Sequence, residues 1–288
     1  MIHFVSLASG SSGNCYYLSD GHTTILIDAG IGSRTIKKRL KELDLDFQNI
    51  QAVLVTHDHV DHIKAVGSLG EKSGIPIYST RKVHSGISRS YCMTERLKTS
   101  AHFIEKEEPF MIGSLRITAF DVPHDSIDNA GYFIETTEGN FCLATDVGHL
   151  TESVIAYLCN ADYLVLEANY DETMLRMGPY PTYLKERILS STGHLSNREA
   201  AEFLVTHYSP RWRYVWLCHL SKDNNHPDLA YKTVEMRLGE LGIRVGEDIQ
   251  VIPLRRSLPT GIFHLGTAGN SVSSVATDMD LFPVEEKR

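Results

Sequence analysis

The chain has no run approaching the ~20 consecutive apolar residues that a membrane-spanning helix needs. Its first residues, MIHFVSLASGSSGN, lack the basic start and apolar stretch of an export signal. Both absences lead us to expect a soluble, cytoplasmic protein. Cysteine is scarce: Cys15, Cys92, Cys142, Cys159 and Cys218 are odd in number and contain no Cys-x-x-Cys pair, which argues against a disulfide framework or a structural zinc knuckle. Positive charge is in deficit, with 28 Lys and Arg against 36 Asp and Glu. The total therefore gives no support to non-specific attraction to nucleic acid, although a local basic face can coexist with it. Lys37, Lys38, Arg39 and Lys41 read as the solvated face of a short helix, while Arg176, Lys185, Arg187 and Arg198 are spread around the stretch SSTGHLSNRE.

What is present is a chain of 288 residues with 42% hydrophobic content, enough to bury the core of one large α/β domain or two small ones. The first half alternates short β runs (HFVSLAS, NCYYLS, TTILIDAG) with a helix-like RTIKKRLKEL and a buried-strand pattern, QAVLVT. A second β-rich block runs through LRITAFDVPH, AGYFIETT and NFCLATD, and later YLVLEAN and YVWLCHLS. Two such halves predict two sheets packed face to face with helices outside. No repeat and no composition break divides the body, so residues 1–265 are expected to form one domain. Residues 266–288 are small, polar and non-periodic, the pattern of a disordered tail. Gly178–Leu189 opens with two prolines and a glycine and should begin as a loop or arm. Ser196 and Glu199 have capping-box spacing ahead of AAEFLV, so a helix should start there with His194 in the loop before it. Taken alone, His194 reads as a solvated loop histidine.

The stretch VLVTHDHVDH carries the strongest chemical signal. On an extended segment His57 and His59 are two apart and project to the same side, so both can reach one metal ion. Asp61 and His62 follow where the chain turns toward a helix and can face a second. Imidazole with one carboxylate suits zinc, and also manganese or iron, better than calcium or magnesium. His124, Asp146 and His219 each follow a β-like apolar run, where a rigid scaffold can hold a ligand in place.

These motifs, in the order Asp28 in ILIDAG, HDHVDH, His124, Asp146 and His219, resemble the metallo-β-lactamase superfamily over residues 1 to about 265. The resemblance implies a four-layer αββα sandwich of the α/β class with the site at one edge. It also implies two divalent metal ions, zinc or manganese: His57, His59 and His124 on the first, Asp61, His62 and His219 on the second, Asp146 bridging them and Asp28 orienting a ligand. Two metals about 3.5 to 4 Å apart lower the pKa of a shared water, supply a bridging hydroxide as nucleophile and stabilise the attacked centre.

That makes a hydrolase without fixing its substrate. A thiolate leaves unaided, whereas a sugar alkoxide leaving a phosphodiester gains from a general acid. His194 is a candidate for that acid, with Glu167 at the end of YLVLEAN as its carboxylate partner. The pair resembles the strand-end Glu and loop His of tRNase Z, although no long exosite arm is present. The closer resemblance is to the YycJ/WalJ family of small bacterial proteins, through SLASGSSGNCYYL, LEAN, GPYP, LKERILS, GHLSN and LCHLS. It implies a DNA exonuclease acting 5′ to 3′ on duplex ends, linked to mismatch repair, with His194, Glu167 and Asp61 as catalytic residues. The chain departs from that family at Tyr170, where His is usual. The glycines of SGSSGN allow backbone N–H groups to converge on an anion, and with the resemblance Ser11, Ser12, Asn14 and Asn169 are expected to bind substrate phosphate. The alternatives are a metallo-hydrolase of a lactone or thioester, in which His194 is structural, and a metal-binding regulatory protein. In the tail, Asp278, Met279, Asp280, Leu281 and Phe282 resemble a sliding-clamp-binding peptide, with Asp278 where Gln is expected.

Overall fold

Strands whose side chains are buried on both sides set the architecture. A computed structural model of the chain describes residues 1–266 and 271–273. The first half supplies β1 (Ile2–Ala8), β2 (Cys15–Ser19), β3 (Thr24–Ile27), β4 (Ile50–Leu54), β5 (Ile77–Thr80) and β6 (Ala101–Ile104). The second supplies β7 (Phe110–Ile112), β8 (Leu115–Asp121), β9 (Ala130–Thr136), β10 (Gly139–Ala144), β11 (Tyr163–Glu167), β12 (Tyr214–Cys218) and β13 (Gln250–Pro253). β14 (Ile262–Leu265) and β15 (Ser271–Ser273) return to the first sheet, whose order is β15-β14-β1-β2-β3-β4-β5-β6; the second runs β13-β12-β11-β10-β9-β8-β7. Of the segment expected as a tail, Ser271–Ser273 is a strand paired with β14. The clamp-like peptide at 278–282 lies outside the described residues.

Because strand side chains alternate between faces, one set from each sheet meets in the middle. Phe4, Tyr16 and Ile25 pack there against Ile117, Phe141, Val165 and Trp216. The opposite face of the first sheet, with Val5, Leu26 and Val53, is covered by Ile36 and Leu40 of α1 (Ser33–Glu42) and by Val83 and Ile87 of α3 (Arg81–Arg89). The short α2 (Val60–Ile63) lies between them in sequence. On the far face of the second sheet, Leu164, Val215 and Leu217 meet α4 (Glu152–Cys159), α7 (Asn197–Thr206) and α8 (Pro227–Gly239). The result is the expected αββα sandwich. Both sheet faces are covered, which is why strands such as TILI and YLVLE read as unbroken apolar runs. Truncating the fully buried Trp216 to Ala should cost on the order of 3–5 kcal/mol.

α5 (Glu172–Met177) and α6 (Thr182–Ile188) stand apart from these layers, held by a small apolar cluster of Tyr170, Leu175 and Ile188. The helix at Asn197 starts as its sequence predicts. Ser196 Oγ accepts from Glu199 N at 3.1 Å, and Glu199 Oε2 accepts from Ser196 N at 2.8 Å. Among the described residues no helix is long and apolar enough to cross a membrane.

Candidate metal centre

The C-terminal ends of β3, β4, β10, β11 and β12 converge at one edge of the sandwich, and each hands over a polar residue there. Asp28 and His219 directly follow β3 and β12, Asp146 follows β10 by two residues, and Glu167 ends β11. Asp28, Asp146 and His219 adopt φ values of 60°, 55° and 54°. This left-handed region is uncommon for side chains other than Gly, Asn and Asp, and costs of order 1–3 kcal/mol where it is held. Three such kinks at one edge turn side chains off the strand ends and toward one another.

His57 and His59 point the same way, as their spacing predicts, with ring centroids 4.7 Å apart. His124 joins them: its Nε2 lies 3.3 Å from His59 Nδ1. Among the described residues four overlapping groups could hold a metal ion: His57, His59 and His124; Asp61, His62 and His219; His57, His62 and Asp146; and Asp146, Glu167, His194 and His219, so Asp146 reaches both neighbourhoods. Asp146 Oδ2 lies 3.2 Å from His62 Nε2, and its Oδ1 3.6 Å from His124 Nε2 and 3.4 Å from His219 Nδ1. Asp61 can come this close because Gly30 has no side chain: a Cβ there would lie 1.6 Å from the Asp61 carbonyl oxygen.

Each cluster histidine but His59 has its Nδ1 held from outside. His62 Nδ1 donates to Asp28 Oδ2 at 2.7 Å, His124 Nδ1 to the Gly193 carbonyl at 3.0 Å and His219 Nδ1 to Glu167 Oε1 at 2.9 Å. His57 Nδ1 pairs with Thr56 Oγ1 at 2.9 Å, and that hydroxyl also contacts Asp28. Fixing one ring nitrogen turns Nε2 toward the cluster and sets the ring plane. The clearest mark of fit is His57 Nε2, which is buried and has no hydrogen-bond partner. A buried polar atom is normally paired, and an imidazole nitrogen beside other imidazoles and a carboxylate is what a divalent ion such as zinc or manganese takes.

Burial by itself disfavours every charge here. At His57 and His124 it prevails and their pKa values fall. At His219 the carboxylates of Asp146, Asp61 and Glu167 overcome it and raise the pKa to about 10. At His194 burial is likewise overcome, by Glu167, and the pKa rises. His194 Nδ1 lies 2.8 Å from Glu167 Oε1, while Glu167 Oε2 accepts from Val147 N at 2.7 Å and Leu195 N at 3.0 Å.

The residues expected to bind phosphate divide. Ser11 and Asn169 line a cleft beside His194, and Ser12 is exposed in the same loop. Asn14 faces inward: it is fully buried, its Nδ2 3.0 Å from His62 Nε2 and 3.4 Å from Asp61 Oδ2. Asn169 Nδ2 donates to the His219 carbonyl at 2.8 Å. Two further residues adjoin the cluster. Asp125 Oδ1 lies 3.4 Å from His124 Nε2, and Arg187 forms a two-pronged ion pair with Asp125. Adjacency to His124 is the only sequence signal for Asp125, and Arg187 is legible only as one of the basic residues around GHLSN.

A sandwich of this topology with paired histidine and carboxylate clusters at one edge defines a metal-dependent hydrolase. A family model described as a β-lactamase superfamily domain matches residues 23–219. The chain is 36% identical over 245 residues to the exodeoxyribonuclease WalJ of Streptococcus pneumoniae, spanning 85% of this chain and 91% of that protein. It is 32% identical over 265 residues to the exodeoxyribonuclease YycJ of Bacillus anthracis, spanning 92% and 99%. Among solved structures, the metallo-β-lactamase fold protein YhfI of Bacillus subtilis matches with a TM-score of 0.65 at 18% identity, over 90% of this chain and 98% of that one. The chain belongs to the metallo-β-lactamase superfamily and, within it, to the family of WalJ and YycJ.

Proposed function

We propose that this chain is a dinuclear phosphodiesterase, an exonuclease that degrades DNA 5′ to 3′ in repair, with His194 as general acid. The relatives' exodeoxyribonuclease activity supports the substrate class. The observation that carries the chemistry is the His194 Nδ1 to Glu167 Oε1 contact of 2.8 Å beside the cluster. His57, His59 and His124 would hold one ion, Asp61, His62 and His219 the other, with Asp146 shared. When bound, the ions supply Lewis acidity at phosphorus and lower the pKa of water at the site.

The chain's own residues do the rest. Glu167 accepts a hydrogen bond from His194 Nδ1–H, favours the imidazolium and leaves Nε2–H free to protonate a departing sugar oxygen, a role worth roughly 10²–10⁴ in rate. Asp28 and Thr56 hold the rings of His62 and His57. Ser11, Ser12 and Asn169 line the phosphate side, with Asn14 beneath them keeping Asp61 in place.

The test compares His194→Ala with the parent on end-labelled duplex DNA and on bis(p-nitrophenyl) phosphate, whose leaving group needs no acid. Turnover of DNA should fall by at least 10²-fold, that of the activated ester by little, with metal content unchanged. Equal loss on both substrates would remove the general acid. Failure of the parent to shorten any labelled strand, together with turnover of a thioester or lactone, would replace the phosphodiesterase with an acyl hydrolase, and release of label from the 3′ end would reverse the polarity.

A further inference from the structure

Beside the histidine cluster lies a cleft of about 170 Å³. Ser11, Asn169, Tyr180, Arg187, His194 and Ser221 supply its polar lining. Ser11, Ser221 and His194 have donors to offer a ligand, and Arg187 brings a permanent positive charge in a planar fork; the Tyr180 hydroxyl already donates to Asp223 Oδ2 at 3.1 Å and Asn169 Nδ2 to the His219 carbonyl at 2.8 Å. The acidic group on the wall, Asp125, is already engaged: Arg187 Nη2 donates to its Oδ1 at 3.0 Å and Nε donates to Oδ2. A guanidinium with hydroxyl and imidazole donors beside it, on a wall completed by Leu184 and Ile188, matches a phosphate group.

Arg187 also stands on an anchored element. α6 rests on the cluster of Tyr170, Leu175 and Ile188, and Lys185 Nζ ties it back to the Arg176 carbonyl at 2.8 Å. Since Asp125 lies 3.4 Å from His124 Nε2, the guanidinium is one side chain removed from the histidines. Its side chain is 52% exposed. Because the guanidinium is open to water, an incoming phosphate can reach the fork and compete with Asp125 for it.

Resting on the phosphodiesterase reading of the adjoining cluster, we propose that Arg187 is a substrate-positioning residue. It grips a phosphate of the bound DNA strand other than the one cleaved, and Asp125 keeps the fork aimed until that phosphate arrives. Neutralising one more phosphate makes binding more salt-dependent, which a purely structural arginine would not.

The experiment measures affinity of the metal-loaded full chain for a duplex with phosphorothioate terminal linkages, by fluorescence anisotropy across a salt series. Arg187→Ala should bind about 10- to 100-fold more weakly and flatten the slope of log affinity against log salt by about 0.9. Arg187→Lys should restore the slope but only part of the affinity, because it keeps the charge and loses the fork. Arg244→Ala, where the parallel strands begin at the opposite edge, should change neither. Two arms carry a 5′-phosphate or a 5′-hydroxyl: a preference for the phosphate that vanishes in Arg187→Ala identifies a terminal phosphate, and equal loss in both identifies an internal one. Unchanged affinity and slope in Arg187→Ala, in a protein that degrades DNA, would overturn the assignment. If Arg187→Ala does not fold, Arg187→Lys decides alone, and parental affinity in that variant would be the overturning result. A parent that neither binds nor degrades DNA would instead remove the nuclease reading.

Discussion

His194 Nδ1 lies 2.8 Å from Glu167 Oε1, and the same oxygen is 2.9 Å from His219 Nδ1. One carboxylate oxygen therefore serves a loop histidine and a cluster histidine together. Its other oxygen is taken by Val147 N and Leu195 N, so Glu167 has no freedom to move between them. A carboxylate so fully buried and pinned fixes two ring orientations and two tautomers.

Substitutions at the two residues should consequently separate. Glu167→Gln puts a donor where two N–H groups arrive, so both activity and metal affinity should drop, the latter by roughly 10- to 100-fold, the usual effect of removing a ligand's supporting partner. His194→Ala should leave metal affinity at the parental value. Competition titration with a metal-sensitive dye on both variants checks this; matching affinities in Glu167→Gln and the parent would show that His219 does not depend on Glu167.

The metal cluster is the most legible part of the chain, for a geometric reason. His57 and His59 sit two apart on extended backbone, which forces them to one side, and His124, Asp146 and His219 follow β-like apolar runs, whereas Asp28 and the division of the ligands between two ions come only from the family resemblance. The layered fold follows from the same runs. The contacts that depend on chain segments far apart are not legible: Asp125 and Arg187 are separated by 62 positions, and nothing local in either stretch says that they meet. Asn14 shows the converse. Its loop reads correctly as a turn between two strands, yet the side chain folds under toward His62 because Asn14 N is bound to the Asp61 carbonyl at 2.7 Å. The strand at Ser271–Ser273 escapes notice because SVS carries too little apolar pattern to register.

Chelation should destabilise the whole sandwich edge. Asp28, Asp61, Asp146 and Glu167 lie within one cluster, and Asp28, Asp146 and Glu167 are almost wholly buried; with cations removed their repulsion is answered by histidines and a few neutral donors such as Thr56, Val147 N and Leu195 N. A ligand present at about 1,000 times its Kd adds about 4 kcal/mol of stability. Thermal unfolding in excess EDTA against excess zinc or manganese should differ by several degrees or more for a chain of this length. Coincident curves would count against metal binding by the folded state.

A pH effect is expected away from the site, at Glu71. Its carboxylate accepts from Lys98 N at 2.7 Å, Thr99 N at 3.2 Å, Ser100 N at 3.3 Å and Ser100 Oγ at 2.7 Å. Those donors hold its pKa down to about 2, below the ordinary glutamate value. A depressed folded-state pKa adds stability that is complete above the unfolded value and lost as pH falls toward the folded one. The stability difference between the parent and Glu71→Gln should therefore be full at pH 7 and shrink steadily between about pH 5 and pH 2. Urea unfolding at several pH values measures it, and a difference independent of pH would show that the carboxylate's charge is not what holds the 98–100 turn.

The capping box at Ser196 offers a last separation, between stability and aim. Ser196→Ala removes the hydroxyl that accepts from Glu199 N, and the loss of an N-cap of this kind costs about 1 kcal/mol. That is a small fraction of a domain's stability, so the variant should remain folded, with a midpoint a few degrees lower. His194 stands two residues before the cap, however, and its ring must meet the cluster to within a fraction of an ångström. Turnover of duplex DNA should fall by more than the stability loss accounts for, on the order of tenfold, while bis(p-nitrophenyl) phosphate turnover stays near the parental rate. An equal fall on both substrates would mean that the cap serves the fold alone, and that the placement of His194 is set instead by Glu167 and by the His194 N–H donated to the Ile188 carbonyl at 3.0 Å.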